Sequence, residues 1–272
     1  MELATQGLSR PRDAYLWRLI ATAISFLLFG LGGLCLRLVV FPLLACLPGD
    51  ATRRRQRARH TISWLFWRFI RFMAACGVLT YEVNGAEKLG RPGQMIIANH
   101  PSLIDVVFLI GLVRQANCVV KQSLFRNPCT RGPVSSAQYI SNDGSMDMLD
   151  AAVGALQAGQ TLIIFPEGTR TVPGQAPAFH RGAAAIALRG AQFITPVTIR
   201  VNPTTLTKAE PWYRIPAQRV HFSLQVGADI AVQDFADQGP APRASRALND
   251  HLHHYFTKEL AEDERTTRTP ES

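Results

Sequence analysis

Two short stretches hold side chains whose types and spacing could do chemistry. The first is Asn99-His100-Pro101-Ser102-Leu103-Ile104-Asp105, directly after an apolar run at 94–98. Histidine is the side chain best suited to take and return a proton near neutral pH, and a carboxylate bonded to one ring nitrogen fixes the tautomer and leaves the other nitrogen as a base. Inside one continuous helix, five residues place two side chains roughly 140° apart. His100 can therefore reach Asp105 only from non-helical backbone. Pro101 suits the first position of a helix, which puts His100 at a strand-to-helix junction and Asp105 in the second turn. There is no G-x-S-x-G motif, so such a base would act on a hydroxyl of the substrate. The alternative is that both residues only satisfy backbone groups at a helix start.

The second stretch is Leu162 to Arg170, an apolar strand ending in Pro166-Glu167-Gly168-Thr169-Arg170. The arginine offers a fork matched to phosphate, the threonine a hydroxyl, and the glycine a close backbone approach. An ordinary strand-ending turn is the alternative. In α/β sheets ligands bind beyond the carboxyl ends of the strands, and both stretches are such ends.

The elements that must hold these residues are legible in the pattern. Short apolar runs recur at 79–84, 94–98, 117–120, 137–141, 161–165, 193–201 and 219–226, with helical patterns at 145–159 and 179–190 between some of them. Strands alternating with helices predict an α/β fold: a mixed, mostly parallel sheet flanked by helices. Leu248, Leu252, Tyr255, Phe256 and Leu260 share one face of a last helix. This domain is expected over residues 80–262, with a polar tail at 263–272.

Residues 1–79 read differently. Residues 19–36 carry no charge and are bracketed by Arg18 and Arg37. As a helix they reach about 27 Å, close to the roughly 30 Å of a hydrocarbon core, so a membrane anchor is expected. A hairpin dipping into one leaflet is the alternative. By the positive-inside rule, the basic run at 53–60 places itself and the domain beyond it on the cytoplasmic side of the inner membrane. Residues 61–79, rich in Trp and Phe with Arg68 and Arg71, suit an interfacial helix; a core-packing helix is the alternative. Residues 1–75 hold eleven arginines against three acids, so +8 of the net +9 lies in this region. A nucleic-acid binder would instead carry its charge on the folded domain. The five cysteines contain no C-x-x-C pair, which argues against a disulfide framework or a zinc site.

Taken together, the motifs resemble the lysophospholipid acyltransferases (1-acylglycerol-3-phosphate acyltransferase, PlsC-like superfamily). Residues 99–105 resemble the N-H-x-S-x-x-D block, 165–170 the third block, 194–199 the fourth, and 119–128 the segment between the first two. The resemblance implies a membrane-bound enzyme that moves a fatty acyl group from a thioester, acyl-CoA or acyl-carrier protein, to a hydroxyl of a lysophospholipid or glycerolipid. It implies His100 as general base and Asp105 as its orienting partner. It implies Lys121, Glu167, Gly168, Thr169 and Arg170 as acceptor-binding residues, with Arg181 a weaker basic candidate and Pro196 a wall for the acyl chain. Neither a metal nor a cofactor is implied beyond the thioester co-substrate. The family's second block usually ends in an arginine, and Asn142 stands at the matching position here. That departure keeps a non-phosphate lipid acceptor as an alternative. A non-catalytic lipid-binding protein is a third reading, against which the intact histidine and aspartate argue.

Overall fold

The computed structural model describes residues 14–172, 175 and 178–268, with side chains described up to residue 261. The chain begins with helix α1 (Tyr15–Cys35), which continues through a π-helical segment (Leu36–Val40) into α2 (Phe41–Ala45). Next comes α3 (Ala51–Ala75). It starts where Asp50 caps it, the carboxylate accepting from Arg53 N at 2.8 Å, as an N-cap aspartate does. The basic run and the aromatic run thus form one helix.

That helix is not purely interfacial. Ile62, Ser63, Ile70 and Met73 are buried, and Ser63 donates to Gly111 O. Arg59, expected on the basic surface, is also buried. It donates to Ala137 O, Gln115 O and Gln160 Oε1, and burial pushes its pKa down to about 10. Trp64 and Arg68 remain on the outer face, the guanidinium 5.0 Å from the indole centroid.

The sheet has eight strands: β1 (Leu79–Asn84), β2 (Gln94–Ala98), β3 (Asn117–Lys121), β4 (Ile140–Asn142), β5 (Leu162–Ile164), β6 (Phe193–Asn202), β7 (Val220–Val226) and β8 (Ile230–Ala231). Their order is β1-β7-β6-β2-β5-β3-β4, with β8 beside β6. The contiguous set β6, β2, β5, β3 and β4 is parallel, whereas β7 and β8 pair antiparallel with β6. The β6–β7 link, residues 203–219, contains no helix, and β7 returns antiparallel to β6.

Helices cover both faces, so β2 is buried at every residue, as strands of parallel sheets are. Ile96 and Ala98 point toward one core with α3 and α4 (Asp105–Leu112). Met95 and Ile97 point toward the other, with α6 (Met146–Gln157), α7 (Gly182–Gly190) and α9 (Ala241–Arg268). The short helices α5 (Arg131–Ser136) and α8 (Gln233–Ala236) complete the two layers. Leu248, Leu252 and Phe256 of α9 are buried as their spacing predicts. Of the polar tail, 263–268 continue α9, and 269–272 lie outside the described residues.

Candidate active site

The parallel strands β2, β5, β3 and β4 end along one edge of the sheet, and the expected site residues lie there. His100 follows β2, residues 165–171 follow β5, Lys121 ends β3 and Asn142 ends β4. Lys121 and Asn142 are register partners. β2 and β3 flank β5, so Lys121 stands two strands, about 10 Å, from the line of β2.

His100 Nδ1 lies 2.9 Å from Asp105 Oδ2. The junction differs from the expectation in detail. Helix α4 begins at Asp105 itself, and residues 101–104 form a turn. Leu103 N donates to Leu206 O at 3.1 Å, which draws this segment away from helical bonding. The carboxylate also accepts from Ser102 N at 2.7 Å, half of a capping box. The non-helical backbone at His100 lets its ring fold back onto Asp105. Asn99 locks the end of β2, pairing both ways with the backbone of Ile199 at 2.8 and 2.7 Å.

The imidazole stacks on Phe165, centroids 4.3 Å apart, and retains partial exposure of 17 %. Asp105 is fully buried. Burial pushes its carboxyl above the ordinary aspartate range, opposed by the bonds from His100 and Ser102 and by the charge of Arg170. Its Oδ1 is buried with no hydrogen-bond partner among the described residues. With Asp105 Oδ2 accepting from Nδ1–H, Nε2 is left as the nitrogen available to a substrate.

The second stretch divides its expected roles. Glu167 is buried and turned inward, accepting from His100 N at 2.9 Å and from the Thr171 hydroxyl. Desolvation pushes its carboxyl upward as well. It therefore braces the β2 and β5 loops against each other instead of reaching for an acceptor. Thr171, which sequence reasoning missed, completes the brace by donating its N–H to His100 O at 2.7 Å. Arg170 Nη1 donates to Leu206 O and Thr207 O at 2.7 and 2.8 Å, so part of the expected phosphate fork holds the 203–219 link. Gly168 and Thr169 are exposed at the rim, Gly168 with φ +64°. Lys121 and Arg181 are exposed too.

An apolar cavity of about 540 Å³ borders the segment that joins the pair. Leu103 and Ile104, between His100 and Asp105, form part of its wall. The rest comes from α1 (Phe26, Phe29), α3 (Ile62, Phe66, Phe69), α4 (Val107, Ile110), Val120 and Tyr139. Pro196 is not among these residues. Strand alternation turns it to the opposite face, where a methyl group on Gly227 would lie 3.0 Å from its Cγ. The sequence-based expectation for Pro196 as an acyl wall is corrected accordingly.

A histidine held by a buried carboxylate, at the carboxyl edge of a parallel sheet and next in the chain to residues that wall an apolar cavity, is equipped for proton transfer on an amphiphile. Residues 80–200 match the family described as Acyltransferase. The chain is 27% identical over 190 residues to a 1-acyl-sn-glycerol-3-phosphate acyltransferase of Pseudomonas aeruginosa, covering 68% of this chain and 70% of that protein. It is 28% identical over 159 residues to the enzyme of the same name from Saccharomyces cerevisiae, covering 54% of this chain and 52% of that one. Its fold matches the crystal structure of the 1-acyl-sn-glycerophosphate acyltransferase PlsC of Thermotoga maritima with a TM-score of 0.71 at 18% identity, over 96% of this chain and all of the other. The protein is an acyltransferase. The Acyltransferase match and the named relatives support a place in the PlsC-like lysophospholipid acyltransferase superfamily.

Proposed function

We propose that the enzyme transfers a fatty acyl group from an acyl thioester to the free hydroxyl of a 1-acylglycerol-3-phosphate-type acceptor at a membrane surface. The observation that carries this reading is the His100–Asp105 pair, 2.9 Å apart, whose intervening residues Leu103 and Ile104 wall the apolar cavity. The cavity is of ligand size, and its walls are matched to a hydrocarbon chain.

In this mechanism Nε2 of His100 takes the proton of the acceptor hydroxyl as its oxygen attacks the thioester carbonyl carbon. Asp105 holds Nδ1–H and stabilises the imidazolium that forms. The tetrahedral intermediate collapses by breaking its C–S bond, and the departing thiolate receives the proton from Nε2. The products are an ester and a free thiol, and no acyl-enzyme forms. Glu167 is a positioning residue, since it fixes the backbone N–H of His100. Arg170, with Lys121, supplies positive charge for an acceptor phosphate, and coenzyme A and acyl-carrier protein are the two donor classes. A non-phosphate acceptor is favoured by one observation, the neutral Asn142 at the edge of the site.

The membrane attachment follows from how α1 is held. Arg18 is buried and donates to the carbonyls of Pro216, Ala217 and Gln218. Phe26 packs on Trp212, centroids 5.8 Å apart, and Arg37 donates to Pro128 O. Contacts with the domain thus run along about 28 Å of helix. The opposite face exposes Leu16, Ile20, Ile24, Leu27 and Leu31. The Tyr15–Ala45 segment is long and apolar enough to cross a bilayer, but a helix laid along the domain supports the one-leaflet reading, with the catalytic domain cytoplasmic. The test of the function is thiol release from acyl-CoA and acyl-carrier protein with a panel of lysophospholipids and uncharged glycerolipids. No acceptor-dependent release with any pair would refute it.

A further inference from the structure

Two polar side chains converge above Gly168, and neither has a hydrogen-bond partner among the described residues. A methyl group built on the Gly168 α-carbon would lie 3.5 Å from His180 Nε2 and 3.8 Å from Asn142 Nδ2. The two nitrogens are therefore at most 7.3 Å apart, the sum of those distances. One phosphate, bonded at about 2.9 Å to each nitrogen, can span separations up to that limit.

His180 is exposed, yet its backbone is fixed. Its N–H donates to Pro166 O at 2.9 Å, and the preceding Phe179 packs edge-on against Phe256 of α9, centroids 5.4 Å apart. The ring is thus held over the turn after β5. The charges around it suit an anion. Lys121 is the register partner of Asn142, and Arg181 is adjacent in the chain. The nearby carboxylates are engaged elsewhere: Asp143 accepts from the Ser145 N–H and hydroxyl, and Glu167 is turned inward. Gly168 has φ +64° and no side chain, so the space between the two nitrogens stays open.

We propose that His180, together with Asn142, binds the phosphate of the acceptor over Gly168, in the role that an arginine at position 142 would otherwise fill. This rests on the acyl-transfer reading above and adds a specificity-determining residue to it. Asn142 contributes a neutral N–H donor. His180 contributes a second donor from the segment just before α7.

The test is steady-state kinetics of the full chain, in detergent or vesicles, with lysophosphatidic acid as the varied acceptor, for wild type, His180→Ala and His180→Lys. Loss of one bond to a charged phosphate should raise KM about ten-fold or more. His180→Ala should show that rise with kcat changed less than three-fold, and His180→Lys should restore KM. An unchanged KM in His180→Ala, or a loss confined to kcat, overturns the inference. So does failure of the lysine to rescue. Wild type active on lysophosphatidic acid with an unaffected His180→Ala variant overturns this inference alone. Wild type inactive on that acceptor overturns the phosphate-acceptor reading with it.

Discussion

Asp105→Asn separates catalysis from stability in a way the geometry makes quantitative. Asp105 Oδ2 accepts from two donors, His100 Nδ1 at 2.9 Å and Ser102 N at 2.7 Å. An asparagine has one acceptor oxygen and one donor amide. If its amide faces His100, the ring must carry its proton on Nε2, and the base is lost. If its oxygen faces His100, the tautomer survives but the imidazolium loses its counter-charge. Either orientation removes much of the advantage of a positioned base, typically about 10²–10⁴-fold, or roughly 3–5 kcal/mol of barrier. Stability should respond differently. Burial pushes the Asp105 carboxyl upward, so its charge is disfavoured in the fold, and a neutral isostere relieves that cost. The expected result is a melting temperature equal to or above wild type with turnover down at least 100-fold, measured by thiol release and by thermal denaturation of the same preparation. An Asp105→Asn variant within about three-fold of wild-type turnover would refute the reasoning.

Three further perturbations probe the site and its supports. Asn142→Arg places a bidentate donor beside Gly168, worth roughly 1.5–3 kcal/mol to a phosphate; the kcat/KM ratio for lysophosphatidic acid over an uncharged glycerolipid should rise about 10-fold or more, and an unchanged ratio would mean that residue 142 does not touch the acceptor. Glu167 binds its proton more tightly in the fold than in the unfolded chain, so the native state holds more protons, and wild-type stability relative to Glu167→Gln should fall as pH rises from the ordinary glutamate range through the raised value, then level off; melting temperatures of both proteins across pH 4–8 read this, and parallel curves would count against it. Arg59→Leu leaves the carbonyls of Ala137 and Gln115 without the guanidinium donor, while Gln160 Oε1 keeps Asn117 Nδ2, at a cost of about 1–3 kcal/mol for each group left unsatisfied; denaturant titration in detergent should show a clear loss, whereas exposed Arg54→Leu should show little.

The parts of this molecule that the sequence made legible are those fixed locally. The strands of a parallel sheet buried on both faces read as continuous apolar runs, and β2, β3, β5 and β6 appear where those runs lie. Ser145 and Gly159 delimit α6 as an N-cap and a positive-φ stop should. His100 and Asp105 were legible because a strand-to-helix junction is a local event. What remained hidden depends on distant contacts. The start of α4 at Asp105 depends on Leu206, about a hundred residues away in the chain. The inward turn of Glu167 depends on His100 N and Thr171 meeting across two loops. The burial of Arg59 within a basic run depends on carbonyls from three separate segments. Asp50 did carry a local signal for the start of α3, an N-cap three residues before Arg53, and it joins the basic and aromatic runs that composition had divided.

The central claim is that His100 carries the proton in acyl transfer. The direct measurement is the initial rate of acceptor-dependent thiol release by His100→Ala, with the donor and acceptor that serve wild type, on protein whose melting temperature matches wild type within a few degrees. The predicted rate is lower by about 10²–10⁴-fold. A folded His100→Ala protein that acylates at the wild-type rate would contradict the claim.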